Sequence, residues 1–244
     1  MNEELFKIEL LKANNKKEKL YYLKKNEKFT GDYAIVRAFS KNKDLLNTWK
    51  GVIDKEFNTI INFKPWNKIE LLPNNQLLLQ EMNNSSMKRR IFTYHIDLNT
   101  RKAIYLFGNY KKINEELLII ELFNNSQKDC SSNLKGFALY DVKKGCLTSN
   151  IFHEIGKFEV INNKEVALAK RNLINNSNCP YPLEVLCYID KEGEICSNVY
   201  SSFRNKFVEI SKDNFEKFIE NEESQIKKTP NHSEVLIKLK RKIS

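Results

Sequence analysis

Short apolar runs separated by polar stretches rich in Asn, Ser and Lys dominate the chain, and one pattern among them recurs four times. An apolar run ends in Asp in Gly51-Val52-Ile53-Asp54, Tyr94-His95-Ile96-Asp97, Ala138-Leu139-Tyr140-Asp141 and Cys187-Tyr188-Ile189-Asp190. Successive Asp residues are 43, 44 and 49 positions apart. After each come one or two polar or turn residues, a second β-prone run, and an aromatic (Phe63, Phe107, Phe152 or Tyr200) 9 to 11 positions beyond the Asp. Before each lies another apolar run: Tyr33-Ala34-Ile35-Val36, Leu77-Leu78-Leu79, Leu117-Leu118-Ile119-Ile120 and Val166-Ala167-Leu168-Ala169. Self-similarity at such a period marks a repeat architecture. The pattern predicts an all-β array of about three-stranded repeats, either a small propeller-like closure or an open stack. One repeat cannot bury its apolar face alone, so the aromatic slot is expected to be buried between repeats.

The turns carry their own signal. Asp141-Val142-Lys143-Lys144-Gly145 and Asp190-Lys191-Glu192-Gly193 place a glycine where a tight hairpin needs positive φ. Asp suits the start of such a turn because its carboxylate accepts hydrogen bonds from the amides that follow. The recurring Asp is therefore expected to be structural and to open an equivalent hairpin in every repeat.

The two ends differ from the middle. Phe6, Ile8 and Leu10 alternate as in a strand, and a second run, Leu20-Tyr21-Tyr22-Leu23, follows the basic turn Asn14-Asn15-Lys16-Lys17. Near the other end Phe215, Phe218, Ile219 and Ile226 share one helical stripe, with Asp213 placed to cap the start and Pro230 beyond the end. This predicts an amphipathic helix over 214–228 that covers the last sheet edge. Glu234-Val235-Leu236-Ile237-Lys238-Leu239-Lys240 alternates at period two and is expected to return as a closing strand. The division that follows is N-terminal capping strands over 1–32, four β-repeats over 33–211, and a C-terminal helix and closing strand over 212–244, all in one cooperative domain.

Trp49-Lys50-Gly51-Val52-Ile53-Asp54-Lys55-Glu56-Phe57-Asn58-Thr59-Ile60-Ile61 resembles the WG (KWG) repeat of bacterial proteins, and Tyr188-Ile189-Asp190-Lys191-Glu192-Gly193-Glu194-Ile195 is similar to it. The resemblance spans roughly residues 33 to 210 and is degenerate: Lys50 separates Trp49 from Gly51, Phe57 falls near the turn-glycine position, and the second repeat lacks both signature residues. It implies a β-rich interaction array without a shared catalytic site, and it carries over no functional residue.

Composition narrows the functional classes. With 41% apolar and 11% aromatic residues in 244, the chain can bury enough surface to fold. No window approaches the roughly 18 consecutive apolar residues of a membrane span, and Met1-Asn2-Glu3-Glu4 is acidic where a signal peptide would be basic, so a cytoplasmic protein with no membrane partner is expected. The seven glycines are too far apart for a GxGxxG, GxxxxGK[ST] or GxSxG loop. His95, His153 and His232 show no paired spacing, and the five cysteines form no CxxC and are odd in number. Reduced thiols, no metal and no cofactor are the expectation. The adjacent pairs Glu115-Glu116 and Glu222-Glu223 read as solvated surface.

Net charge is +10, but it comes from 34 Lys and only 7 Arg. Arg is the better marker of specific phosphate recognition, so this surplus fits compositional drift as well as function. The clusters that would contact nucleic acid are Lys88, Arg89 and Arg90; Arg101 and Lys102; and Lys240, Arg241 and Lys242, with Tyr and Phe available for stacking. The leading expectation is a non-catalytic binding scaffold whose partner is another protein. The alternatives are a nucleic-acid binder using those clusters, and an enzyme whose site leaves no motif, for which His95 and His153 with a nearby Asp or Cys form the search set.

Overall fold

The computed structural model describes residues 29–37, 49–83, 90–123, 134–173 and 183–228, with the backbone of five further short strands at 5–8, 12–13, 16–17, 20–23 and 39–40. The chain opens with β1 (Leu5–Ile8), β2 (Lys12–Ala13), β3 (Lys16–Lys17) and β4 (Leu20–Leu23); β2 pairs with β3, and β1 pairs antiparallel with β4. Next come β5 (Phe29–Thr30), β6 (Tyr33–Arg37) and β7 (Phe39–Ser40). β7 pairs with β4, whereas β5 and β6 join β8 (Lys50–Asp54) and β9 (Thr59–Lys64) in sheet I, ordered β5-β6-β8-β9. Sheet II is the meander β10 (Lys68–Leu72), β11 (Gln76–Asn83), β12 (Arg90–Asp97) and β13 (Lys102–Phe107). Sheet III repeats it with β14 (Tyr110–Lys112), β15 (Leu117–Phe123), β16 (Leu134–Asp141) and β17 (Cys146–Leu147).

In sheet IV, β18 (Glu154–Ile155) and β19 (Glu159–Ile161) both pair with β20 (Lys164–Asn172), followed by β21 (Glu184–Asp190), β22 (Val199–Ser201) and β23 (Lys206–Val208). A 3-10 turn, Lys212–Asn214, leads into α1 (Phe215–Lys228). The architecture is an all-β repeat array with one C-terminal helix among the described residues. The expected closing strand over 234–240 lies outside the described residues.

Each recurring Asp ends the third strand of its sheet, and Asp54, Asp97, Asp141 and Asp190 pair with Tyr33, Gln76, Leu117 and Val166 of the second strand. The repeats are thus structurally equivalent, but each holds at least four strands instead of three. The additional strand comes first: β5, β10, β14, or the pair β18 and β19. Phe29-Thr30 and Tyr110-Lys111-Lys112 are too short for alternation to register, whereas β10 carries Ile69, Leu71 and Leu72 and goes unrecognised as a strand in the Asp-centred pattern.

The Asp turn takes two forms. In sheets I and IV the bonds match atom for atom: the Asp54 amide donates to the Asn58 carbonyl (3.1 Å), and the Asn58 amide to Asp54 Oδ1 (2.8 Å). The Asp190 amide donates to the Glu194 carbonyl (3.0 Å), and the Glu194 amide to Asp190 Oδ1 (2.8 Å). The residue that must then turn left-handed is Gly193 (φ 82°) in sheet IV and Phe57 (φ 66°) in sheet I. In sheets II and III the left-handed residue falls one place later, at Arg101 (φ 58°) and Gly145 (φ 66°), and the ladder closes as Asp97 with Lys102 and Asp141 with Cys146.

The described contacts divide the chain into two compact units, residues 1–110 with the turn 142–145, and residues 111–141 with 146–244. In the first, sheets I and II share a core in which Val52 and Ile61 meet Leu77, Leu79 and Leu98. A smaller cluster sets Phe63 on Ala34, Val36 and Ile53. Position 51 beside that cluster requires glycine for a steric reason: a Cβ there would stand 2.9 Å from the Phe63 ring and 2.8 Å from the Ile61 carbonyl oxygen. In the second unit sheets III and IV share a core of Leu139, Phe152, Ala169, Val185, Cys187 and Val199, which α1 completes with Phe215, Phe218, Ile219 and Ile226. The helix therefore packs into the core of sheet IV, in a cluster that also takes in Val208 of the last strand, β23. Asp213 lies inside the 3-10 turn instead of capping α1. Phe63, Phe107 and Phe152 are buried, Phe63 against residues of its own sheet rather than between repeats, and Tyr200 is half-buried beside Phe207 of its own sheet.

Candidate binding face of the fourth sheet

Strand alternation sorts the side chains of sheet IV to two faces. Ala167, Ala169, Val185, Cys187 and Ile189 point to the core. Their neighbours point the other way, and the register lines them up in rows: Leu168 is paired with Tyr188, Lys170 with Leu186, Leu186 with Tyr200, and Tyr200 with Phe207. These outward positions should be polar on a solvated sheet, yet Leu168 is 44% exposed, Tyr188 38% and Phe207 68%. The Tyr200 and Phe207 rings lie 5.2 Å apart at an interplanar angle of 53°, and the face encloses an open groove of about 500 Å³.

Two polar devices shape this groove. At its floor the Tyr188 amide donates to Ser197 Oγ (2.9 Å) and the Cys196 amide to the Tyr188 carbonyl (3.0 Å). Ser197 Oγ in turn donates to the Asn198 carbonyl (3.1 Å), so the chain bulges and brings Asn198 to the lining. Sheet III uses the same device: the Leu139 amide donates to Ser149 Oγ, and Ser149 Oγ to the Asn150 carbonyl. Leu147-Thr148-Ser149-Asn150-Ile151-Phe152 and Ile195-Cys196-Ser197-Asn198-Val199-Tyr200 match residue for residue in character. This Ser-Asn repeat was the available sequence signal for the groove floor, and the Asp-centred reading missed it. At the rim, Tyr200 Oη donates to Asn205 Oδ1 (2.9 Å), and Lys170 pairs with Glu184 (3.2 Å).

Cys187 reaches the groove from beneath, but burial, with a smaller contribution from Cys196, pushes its thiol up to about 12. It is a neutral apolar lining atom at ordinary pH and a poor nucleophile. Cys146 and Cys196 are exposed thiols, and Cys146, Cys187 and Cys196 are free.

A second buried polar site fixes α1. Glu222 is fully buried, contrary to the solvated surface expected of Glu222-Glu223, because the helix turns it inward beside the Phe218 and Ile226 stripe. Its carboxylate accepts from Ser201 Oγ (2.5 Å) and pairs with Arg204 Nε, whose guanidinium lies 5.7 Å from the Phe218 ring centre. The charge is thus neutralised and hydrogen-bonded where it is buried. Glu115 and Glu116 are exposed as expected.

The nucleic-acid candidates are distributed as follows. Arg101 is exposed in the β12–β13 turn and Lys102 is exposed at the start of β13. Lys88, Arg89, Lys240, Arg241 and Lys242 lie outside the described residues, and of Arg90 only the backbone, at the start of β12, is described. The sequence did not flag Lys143 and Lys144; their turn lies in the first unit with Gly145 seated against Ile104 of β13, the strand that Lys102 begins.

The two histidines of the enzyme search set fall in different units. His95 is fully buried in β12, and burial pushes its imidazole down to about 4, opposed by the Asp97 charge. His153 is exposed; its Nδ1 accepts the Asn172 amide (3.2 Å), and partial desolvation with the charges of Arg171 and Lys170 lowers its pKa. Among the described residues no group of three or more His, Cys, Asp or Glu is placed to hold a metal ion. No described helix is long and apolar enough to cross a membrane. No family model matches the chain, and no curated protein matches it.

Proposed function

We propose that the chain is a non-catalytic binding scaffold built from degenerate WG-like β-repeats, and that its partner is another protein. The observation that carries this reading is the outward face of sheet IV. Contiguous exposed apolar surface marks interaction sites on monomers, and Tyr and Phe are enriched where interfaces concentrate their energy. Leu168, Tyr188 and Phe207, exposed, and Leu186 and Tyr200, half-buried, form such a surface on a sheet whose other face is core.

The test is capture from the source cell with the full chain as bait, run beside the double variant Tyr188→Ser/Phe207→Ser. Both side chains are exposed, so the variant should keep the wild-type melting profile. A protein retained by the wild type and lost on the variant supports the reading; identical captures on both baits overturn it.

A nucleic-acid reading is favoured by one observation, the placement of the Lys143-Lys144 turn beside the strand that Arg101 and Lys102 open. The carboxylates of Asp97 and Asp141 border the same turns and halve the local excess of charge. Protein binding is therefore the reading adopted.

A further inference from the structure

We infer that the edge of β23, unpaired among the described residues, and the aromatic groove beside it form one docking site for an extended strand of a partner, bearing apolar residues at alternate positions and an acidic residue between them. This rests on the protein-binding reading and adds the mode of contact. β23 is the last strand in the order of sheet IV and, among the described residues, pairs only with β22. In an antiparallel ladder alternate residues turn their amide and carbonyl away from the partner strand, and those of Lys206–Val208 that face outward have no ladder partner among the described residues.

The side chains of β23 define what that chain must carry. Phe207 stands on the outward face, its ring tilted against that of Tyr200 in the groove lining. A strand added to β23 would set every second side chain on that face, about 7 Å apart, against Phe207 and over the groove mouth. Its intervening side chains would fall on the opposite face, beside Lys206, which is exposed, and Val208, which is half-buried against the core. An apolar residue opposite Phe207 and a carboxylate near Lys206 are the complementary choices. Shortness and a lysine are ordinary protections of a sheet edge, but a phenylalanine at 68% exposure works against protection and points to an occupant.

The probe is a fluorescein-labelled peptide alternating Val with Thr, with one central Thr replaced by Glu and Lys at its ends. Three comparison peptides accompany it: one N-methylated through its central residues, one with Lys in place of Glu, and one with Ser for every Val. With the full chain, the parent peptide is expected to bind and to perturb the amides of β23 and β22. The N-methylated and Ser peptides should bind about tenfold more weakly or worse. Phe207→Ser should weaken the parent peptide about tenfold, and Lys206→Glu should reverse the preference between the Glu and Lys peptides.

Equal binding of the N-methylated peptide would overturn strand addition while leaving the protein-binding reading standing. Absence of binding to the parent peptide at millimolar concentration would overturn the inference as well. So would a dimer in sedimentation that Phe207→Ser dissolves, because a second copy would then occupy the face.

Discussion

Gly193 and Phe57 hold the same place in the same turn, and their difference isolates what a backbone angle is worth. Gly193 has φ 82°, and a Cβ there would stand 2.2 Å from the Thr148 carbonyl oxygen, so angle and space both demand glycine. Gly193→Ala is expected to lower unfolding free energy by about 2 kcal/mol or more in denaturant titrations. Phe57 adopts φ 66° with a half-buried ring against the Phe63 cluster. Phe57→Gly relieves about 1 kcal/mol of left-handed strain and loses a ring contact of similar size, so its net change is expected to stay within about 1 kcal/mol. His95 gives a second residue-scale outcome. Its imidazole sits near 4 in the fold against an ordinary 6.5, so between these values the unfolded chain binds more protons. Stability should rise with pH across that window and be lost as pH falls through it, by an amount on the order of 3 kcal/mol. Urea melts between pH 4 and 7 should show this slope, and His95→Leu should flatten it.

At the scale of elements, α1 is held to sheet IV by an apolar stripe and one buried charge. Glu222→Leu leaves Arg204 and Ser201 without their acceptor; because the Arg204 side chain is 29% exposed and can partly rehydrate, a loss of about 2–4 kcal/mol is expected. Adding Arg204→Met should recover most of it, since a well-packed apolar pair of similar volume removes the unmet charge. A thermal-melt cycle over the two single variants and the double variant measures the coupling. Recovery absent in the double variant would mean that the pair does more than neutralise a buried charge. The helix stripe itself was readable from Phe215, Phe218, Ile219 and Ile226, but Glu222 was not, since a carboxylate on an apolar stripe reveals its partner only when β22 and the turn after it are in place.

For the whole molecule the open question is charge. Several lysines are engaged locally, among them Lys55 with Asp32, Lys170 with Glu184, Lys191 with Glu165 and Lys212 with Glu194. A dispersed and partly paired surplus is expected to give only electrostatic association. Generic duplex and single strands are expected to bind with Kd of roughly 10⁻⁴–10⁻⁶ M at physiological salt, and more weakly as salt rises. Arg101→Glu/Lys102→Glu should change this no more than charge reversal of two exposed lysines elsewhere, such as Lys157 and Lys206. Submicromolar binding at about 150 mM salt, abolished in the first variant alone, would make nucleic acid the primary partner.

The sequence alone determined the repeat. Asp at the end of each third strand, the aromatic slot after it and the glycines of the third and fourth turns are local requirements of hairpin geometry, and local requirements leave residue-level marks. Tertiary structure decided the rest. Whether Leu168, Tyr188 and Phe207 end as core or as exposed face depends on which side of sheet IV receives sheet III and α1, and alternation by itself is symmetric between the two sides. The fate of Glu222 likewise follows from a contact between the helix and β22, about twenty residues apart in the chain, which no spacing rule encodes. The exposed apolar face of sheet IV is what remains of an apolar alternation once packing has covered one side, so it became visible only when the fold had chosen that side.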